Sequence, residues 1–358
     1  MVLNKNINFY VIKVKRNVFT LIFILFTISL IVFSSNSLTA VRNGLSLWTN
    51  SVLPSLFPFF VATELLMHTN FVSILGRLLN NIMRPIFNIS GEGSFALIMG
   101  LISGYPVGAK IAADLREKNI CSKEECERLL SFTNNSGPLF IIGTVGVSMY
   151  HSTTIGLLLF ISHFLGCLCV GILFRFWKPN KKIYTPHKNK PFKDRENTVR
   201  HNASLSNLGE VLYKSISSSI KTVVIIGGFI VLFSCIISIL QSIGIVRILS
   251  NFVNPIFTIF SIDNAFSSGL ICGIIEVTNG INYISTITIK ELSINLILTS
   301  FLLGLGGISI LLQVLSITST SDLSIKPYIY GKFLHGVFSS VFTLILILLF
   351  PCFNFNLI

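Results

Sequence analysis

Long apolar stretches alternate with short charged ones along most of the 358-residue chain. A membrane-spanning helix needs about 20 mainly apolar residues, so the stretches without Asp, Glu, Lys or Arg mark the candidate spans. One of these stretches, 129–174, has room for two helices. The others are 17–41, 43–63, 222–246, 292–321 and 333 to the end. The pattern therefore predicts seven crossings and an all-α, polytopic membrane protein.

Two shorter apolar stretches, Gly93–Ala109 and Asn264–Ile289, are interrupted by glycine or by the single acid Glu276. Non-helical backbone at membrane depth is tolerated only where protein or a water-filled cavity satisfies its polar groups. We interpret each stretch as a re-entrant hairpin. An eighth and a ninth full crossing are the alternative.

The chain contains two related halves. An offset of 170 places the Pro-Ile-Phe of 85–87 on that of 255–257, and an offset of 169 places Gly104 on Gly273. Each half holds three predicted crossings, an odd number, so the second half should face the opposite way. Inverted repeats of this kind are typical of secondary transporters, which bind substrate near the membrane midplane. The sequence thus predicts two inverted repeats, each with three spans plus a hairpin, after one extra N-terminal span.

The predicted organisation has five parts. They are the N-terminal arm and first span (1–45), membrane repeat 1 (46–178), a basic linker (179–215), the inverted membrane repeat 2 (216–350) and a tail (351–358). Because Lys and Arg concentrate in cytoplasmic loops, the arm and the linker should both be cytoplasmic. A signal peptide with a cleavage site at 37–40 is the alternative for the first span.

Composition agrees with this membrane prediction and removes a competing one. Only 11% of the residues are charged and 52% are hydrophobic, which excludes a single soluble globule. The net charge of +13 would suggest nucleic acid in a soluble protein. Here most of the excess lies in the arm and the linker, so the charge indicates topology, and the lipid bilayer rather than nucleic acid is the expected partner.

The first candidate site is the turn of the first hairpin. Proline suits the first turn of a helix, so a half-helix should begin near Pro106 inside the membrane. Its free backbone N–H groups and positive dipole end favour an anion such as a carboxylate. A lysine one turn further on could pair with that anion, or could instead extend to the interface. The candidate binding residues are Gly104, Tyr105, Pro106, Gly108 and Lys110.

A second cluster of residues that can cap a helix precedes Pro138, so a second half-helix should begin there. Polar residues inside the membrane are site candidates by default, although a helix-to-helix hydrogen bond is the alternative for either asparagine. At the corresponding place in repeat 2, only backbone groups of glycine could coordinate a ligand. The candidates are Asn134, Asn135, Ser136 and Gly137, with Gly306 and Gly307 in repeat 2.

Glu276, Thr278 and Asn279 mark the second hairpin. A carboxylate buried without a partner is expensive, so it would take up a proton or find a cation. It could bind a coupling H⁺ or Na⁺, pair with Lys110, or accept hydrogen bonds from a substrate. If the hairpin is an external loop, Glu276 is only a solvated charge.

The sequence gives no reason to expect an enzyme or a bound cofactor. It has no Walker A loop, HExxH motif or nucleophile elbow. The seven cysteines show neither metal-ligand spacing nor a disulfide framework. His163 and His335, in the last span of each half, read as packed helix residues.

Several of these motifs, in this order, resemble a known family. The Leu47-Trp48 span with Pro54 and Pro58, the Gly-Tyr-Pro-Val-Gly-Ala-Lys run at 104–110 and the Asn-Asn-Ser-Gly-Pro run at 134–138 are similar to YlbJ-type sporulation integral membrane proteins. These proteins carry nucleoside-recognition (Gate) domains. The resemblance covers about residues 1–350, although repeat 2 lacks the Gly-Tyr-Pro and the Asn-Asn pair, which makes a symmetric two-site mechanism doubtful.

The resemblance implies a role in endospore formation, in the outer forespore membrane, with dipicolinate as cargo moving towards the spore. Gate domains are also related to concentrative nucleoside transporters, whose paired hairpins meet at the substrate site. We therefore expect a transporter of a small organic anion, with Tyr105 stacking on its ring. A non-transporting scaffold for spore envelope assembly and a nucleoside or nucleobase carrier are the alternatives, and the oligomeric state stays open.

Overall fold

The computed structural model describes residues 2–69, 71–117, 119–178, 207–288, 292–319 and 321–349. These residues form α-helices, short π- and 3₁₀-helical segments and turns, with no β-strand among them. The predicted all-α class is therefore confirmed. Residues 179–206 of the linker and the 351–358 tail lie outside the described residues.

The described residues of the first half, which ends at Lys178, form eight α-helices. They are α1 (Val2–Val32), α2 (Ser34–Leu47), α3 (Leu53–Met67), α4 (Phe71–Phe87), α5 (Ser94–Ser103), α6 (Val107–Glu117), α7 (Lys123–Phe132) and α8 (Thr153–Phe174). A π-helical segment, Trp48–Val52, joins α2 to α3, and a second one, Phe140–Met149, lies between α7 and α8.

The part of the second half that the structure describes forms seven α-helices. They are α9 (Leu208–Ser242), α10 (Ile245–Ile259), α11 (Ala265–Ile275), α12 (Val277–Ser285), α13 (Leu292–Leu305), α14 (Gly307–Thr318) and α15 (Lys326–Leu349). The order of elements repeats that of the first half: an amphipathic helix with an internal proline, a hairpin, a broken helix and a long final helix. Whether the two halves are inverted across the membrane stays a prediction.

The predicted spans fall on helices or on broken helices. Four helical segments are long and apolar enough to cross a membrane: 153–174, 208–242, 292–318 and 326–349. Two bent pairs, 17–32 with 34–52 and 81–87 with 91–103, could each add one span, although their halves meet at 96° and 97°. Length and composition thus give four to six spans in the described part of the chain, and the count of seven stays a prediction.

The final helices of the two halves pack side by side and join the halves. Their histidine rings meet across this contact, with the centroids of His163 and His335 4.2 Å apart. A Cβ on Gly304 would lie only 2.6 Å from the backbone of Gly336, so α13 and α15 also approach closely, as small residues allow in membrane helices. Many apolar side chains on the outer surface are exposed, as lipid contact requires.

Candidate functional site

Hairpin 1 consists of α5 and α6 joined by a turn at 104–106. Gly104 adopts a φ of +76°, a conformation that glycine reaches without steric cost. Behind the turn, a Cβ on Gly108 would lie 2.1 Å from the carbonyl oxygen of Thr133. The first turn of α6 therefore rests directly on the backbone that follows α7, here called the break segment (residues 133–138).

Hairpin 2 consists of α11 and α12, which meet at Glu276. The Glu276 carboxylate accepts hydrogen bonds from the backbone N–H groups of Thr278 (3.0 Å) and Asn279 (2.7 Å), and from the Asn279 amide side chain (2.7 Å). It thereby caps the N-terminus of α12, where a negative charge is favourable. Glu276 is 4% exposed, so the alternative of a solvated charge in an external loop is wrong.

The turns of both hairpins line one cavity of about 50 Å³. The break segment and α14 complete its polar lining, while α3 and α9 supply mainly Phe, Leu and Ile. Its polar or turn residues are Ser103, Gly104, Tyr105, Gly137, Glu276, Thr278, Ser309 and Gln313. Among the described residues that line it, Glu276 is the one that can carry a negative charge at neutral pH. A space of this size holds a few water molecules, so a larger solute can enter only if the hairpins move.

Five of the fourteen predicted binding residues line this cavity. These are Gly104, Tyr105, Gly137, Glu276 and Thr278. Two others contact a lining side chain: the Ser136 hydroxyl donates to the Tyr105 hydroxyl at 2.8 Å, and Asn279 binds the carboxylate as described. The structure thus brings hairpin 1, the break segment and hairpin 2 together, as the repeat pattern led us to expect.

The two asparagines of the break segment lie outside the cavity lining. The Asn134 Nδ2 lies 3.5 Å from the Tyr328 hydroxyl on α15, and its Oδ1 accepts from the Ala109 N–H at 3.4 Å. The Asn135 Nδ2 donates to the Phe132 carbonyl at 2.7 Å and lies 3.2 Å from the Cys167 sulfur. These are the contacts between helices that were the alternative to direct ligand binding.

The remaining predicted residues also lie outside the lining. Lys110 is exposed, and none of the ion pairs between described residues joins it to Glu276. Gly108 contacts the break segment, and Pro106 follows Tyr105 in the turn. Gly306 and Gly307 have φ values of +80° and +78° and form the break between α13 and α14. They precede Ser309 and Gln313 of α14, which line the cavity.

Sequence reasoning missed three polar residues of this region. Ser309 and Gln313 lie on α14 and line the cavity, and a search for uncharged polar residues within apolar stretches would have found them. Lys332 is buried in α15, and its Nζ donates to the Asn134 carbonyl at 3.0 Å. It was missed because Lys332 was used only to mark where the last span begins.

Comparison with known sequences finds relatives over nearly the whole chain. The Gate (nucleoside recognition) family model matches residues 50–168 and 223–322. The sporulation integral membrane protein YlbJ of Bacillus subtilis (strain 168) is 37% identical over 330 residues, which is 90% of this chain and 81% of YlbJ.

Solved structures of CNTnw share the fold. Its inward-facing, substrate-bound state matches with a TM-score of 0.58 at 14% identity, over 89% of this chain and 85% of CNTnw. An outward-facing state of a CNTnw variant matches with a TM-score of 0.53 at 13% identity, over 86% and 83% of the two chains. At this level of identity the likeness concerns the fold alone.

Proposed function

We propose a transport function for this chain, which belongs to the Gate (nucleoside-recognition) family and, within it, to the YlbJ-type sporulation integral membrane proteins. The observation that carries the proposal is the meeting of both hairpin turns in one cavity. Helices broken at membrane depth present unpaired backbone and capped ends to a central site, which is how secondary transporters bind solutes. The solved transporter structures that share the fold support the same function.

The proposed solute is a small, flat organic anion, with dipicolinate as the specific candidate. Aromatic side chains from three elements, Phe59, Tyr105 and Phe140, line the cavity and can stack on a planar ring. Ser309 and Gln313 can donate hydrogen bonds to carboxylate oxygens. The sporulation name of the relative supports a solute of the developing spore, and the outer forespore membrane is the proposed location.

The cavity's own charge sets a condition on anion transport. An ionised Glu276 would repel a carboxylate in the same cavity, because charges interact strongly in a medium of low dielectric constant. The anion must therefore enter together with a cation, either H⁺ or Na⁺, that neutralises the charge of Glu276. In this scheme Glu276 holds the turn of hairpin 2 while the polar groups of α14 and Tyr105 contact the solute.

The proposal is tested by uptake of labelled dipicolinate into proteoliposomes that contain the purified chain. We expect saturable uptake by the native protein. Glu276→Gln and Gln313→Leu should lower uptake by about tenfold or more, because a hydrogen bond to a charged group contributes about 1.5–3 kcal/mol. The matched controls are Glu117→Gln on the exposed end of α6 and Gln241→Leu on the exposed end of α9. Both controls should transport normally.

The same preparation separates the two alternatives. Uptake of labelled nucleosides without dipicolinate uptake would replace the proposed solute with a nucleoside, in line with the family's name. Absence of all uptake, together with normal dipicolinate content in spores that carry Glu276→Gln, would instead favour a scaffold and contradict the transport function.

A further inference from the structure

Lys332 is a buried cation away from the cavity, and the proposed transport function does not yet use it. It lies almost two turns into α15 and is 2% exposed. Its Nζ contacts the Asn134 carbonyl and, at 3.4 Å, the Nδ1 of His335. None of the ion pairs in the described part of the chain includes it. An unpaired ammonium in the membrane is costly, so such residues commonly serve ion or proton pathways.

The geometry fixes the direction of hydrogen bonding around Lys332. The Nε2 of His335 lies 2.8 Å from the carbonyl oxygen of His163, and a carbonyl can only accept. The Nε2 therefore carries the proton, which leaves the Nδ1 of a neutral imidazole as an acceptor. Lys332 donates to this Nδ1 and to the Asn134 carbonyl. Its third position holds either a third proton, in the ammonium form, or a lone pair, in the amine form.

Ionisable groups without acidic partners surround this amine. His163 on α8 is 1% exposed, and neither of its ring nitrogens has a hydrogen-bond partner among the described residues. Helix α13, which also packs on α15, carries no ionisable residue. The charged side chains of α7 that bond near α15 contact Trp177, Lys178 and Ser324. The ionisable groups that interact with Lys332 are His163, Cys167 and His335, while Tyr328, one turn earlier on α15, contacts Asn134.

A short polar path connects Lys332 to the cavity. The Asn134 carbonyl that it binds belongs to the break segment, whose Gly137 lines the cavity. In the same segment, Ser136 donates to the hydroxyl of Tyr105 in the turn of hairpin 1. A change at Lys332 therefore acts on the break segment, and the break segment positions one wall of the cavity.

We propose that Lys332, His335 and His163 form a proton-binding site that couples proton movement to solute movement. The inference rests on the proposed transport function. With its third proton, Lys332 makes a charge-assisted hydrogen bond to the Asn134 carbonyl, and such bonds are about twice as strong as neutral ones. When Nζ passes this proton to the Nδ1 of His335, the electron pair stays on the Lys332 nitrogen and the bond to the break segment weakens. The positive charge carried in this way offsets the charge of an anionic solute.

The test compares two kinds of dipicolinate transport by the full chain in liposomes. Net accumulation is driven by a pH difference of one unit, which supports about a tenfold concentration ratio for each proton moved with the solute. Exchange, with dipicolinate on both sides, needs no net proton movement. We expect Lys332→Met and Lys332→Arg to lose the accumulation while exchange persists at a reduced rate. Arginine keeps the charge but does not release a proton.

The controls and the contrary results are defined by the same assay. Lys326→Met, at the exposed start of α15, should accumulate dipicolinate like the native protein, and His335→Gln is the second variant should Lys332→Met fail to fold. Accumulation that persists in Lys332→Arg overturns the proton site. Exchange by the native protein without any response to the pH difference overturns it also, while leaving transport intact. Absence of both accumulation and exchange overturns the transport function itself, and this inference with it.

Discussion

The turn of hairpin 1 is formed by backbone: Gly104 has a φ of +76°, and α6 packs on Thr133. The turn of hairpin 2 is instead held by the Glu276 carboxylate, which accepts three hydrogen bonds. Both turns nevertheless reach the same cavity. The order of elements therefore places the two hairpins alike, while the residues at their turns decide what each presents. Hairpin 1 offers an aromatic face and a hydroxyl from Tyr105, and hairpin 2 offers the charge of Glu276, so the two halves build one asymmetric site.

The largest effect is expected at the carboxylate of hairpin 2. Glu276→Ala leaves the buried N–H groups of Thr278 and Asn279 without their acceptor, and each hydrogen bond to a charged group contributes about 1.5–3 kcal/mol. Thermal unfolding in detergent should then begin at a lower temperature, and uptake should be lost. Glu276→Gln keeps one acceptor oxygen, so its unfolding temperature should stay closer to the native value. Equal unfolding temperatures for Glu276→Ala and the native chain would show that the cap does not hold hairpin 2.

The second-largest effect on stability is expected from the close backbone contact of hairpin 1. Gly108→Ala introduces a Cβ that would lie 2.1 Å from the Thr133 carbonyl oxygen, so α6 must shift at a cost of about 1–3 kcal/mol. The matched control is Gly228→Ala on α9, where a Cβ meets nothing within 4 Å. Because alanine favours helix over glycine by about 1 kcal/mol, the control should be neutral or stabilising. Unfolding temperatures that change in the same direction in both variants would contradict the tight contact.

A smaller effect is expected from the hydroxyl of Tyr105. Tyr105→Phe keeps the ring in the cavity but removes the partner of Ser136, and a hydrogen bond of this kind contributes about 0.5–1.5 kcal/mol. The concentration of solute at half-maximal uptake should therefore rise by a factor of about two to ten. Tyr283→Phe, an exposed position on hairpin 2, is the control. A change of the same size in both variants would assign the effect to general destabilisation.

The smallest effect concerns the outer arm of hairpin 1. Arg116 binds both carboxylate oxygens of Asp322, at 2.8 and 2.9 Å, and hairpin 2 has no such ion pair among the described residues. The hydrogen bonds from Arg116 hold the pKa of Asp322 below its ordinary value. The stability is therefore present above the unfolded pKa of about 3.9 and is lost as the pH falls through the folded pKa.

Because this pair is partly exposed, its contribution should be about 0–1 kcal/mol. Asp322→Asn should lower the unfolding temperature slightly at neutral pH, and the difference from the native protein should vanish in acid. A difference that grows as the pH falls would show that the ion pair does not stabilise the folded chain.

The sequence predicted the hairpins well because their signals are local. Glycine and proline at 104–108 and the isolated Glu276 mark the places where a helix cannot continue through an apolar stretch. The all-α class follows from the length of those stretches. The number of spans is harder to derive, since the bends near Phe33 and Asn88 separate helices that composition alone would join or count apart.

The site was predicted less completely, because which side chains reach one cavity depends on how the helices pack against each other. Lys110 follows the turn of hairpin 1 in sequence, yet it is exposed, while Lys332, far away in the chain, lies against the break segment. The asparagine pair is polar and buried, as expected, but it bonds between helices. Gln313 lies on α14, after the glycine break at 306–307, and lines the cavity, although no charged or motif residue marks it in the sequence.

The most direct measurement is equilibrium binding of labelled dipicolinate to the purified chain in a double-mutant cycle. The cycle combines Tyr105→Phe on hairpin 1 with Glu276→Gln on hairpin 2. If the two turns form one binding site for the solute, each single variant weakens binding and the effect of the double variant departs from the sum of the single effects by about 0.5 kcal/mol or more. Saturable binding that neither substitution changes, or no saturable binding by the native chain, would contradict a shared site between the two hairpins.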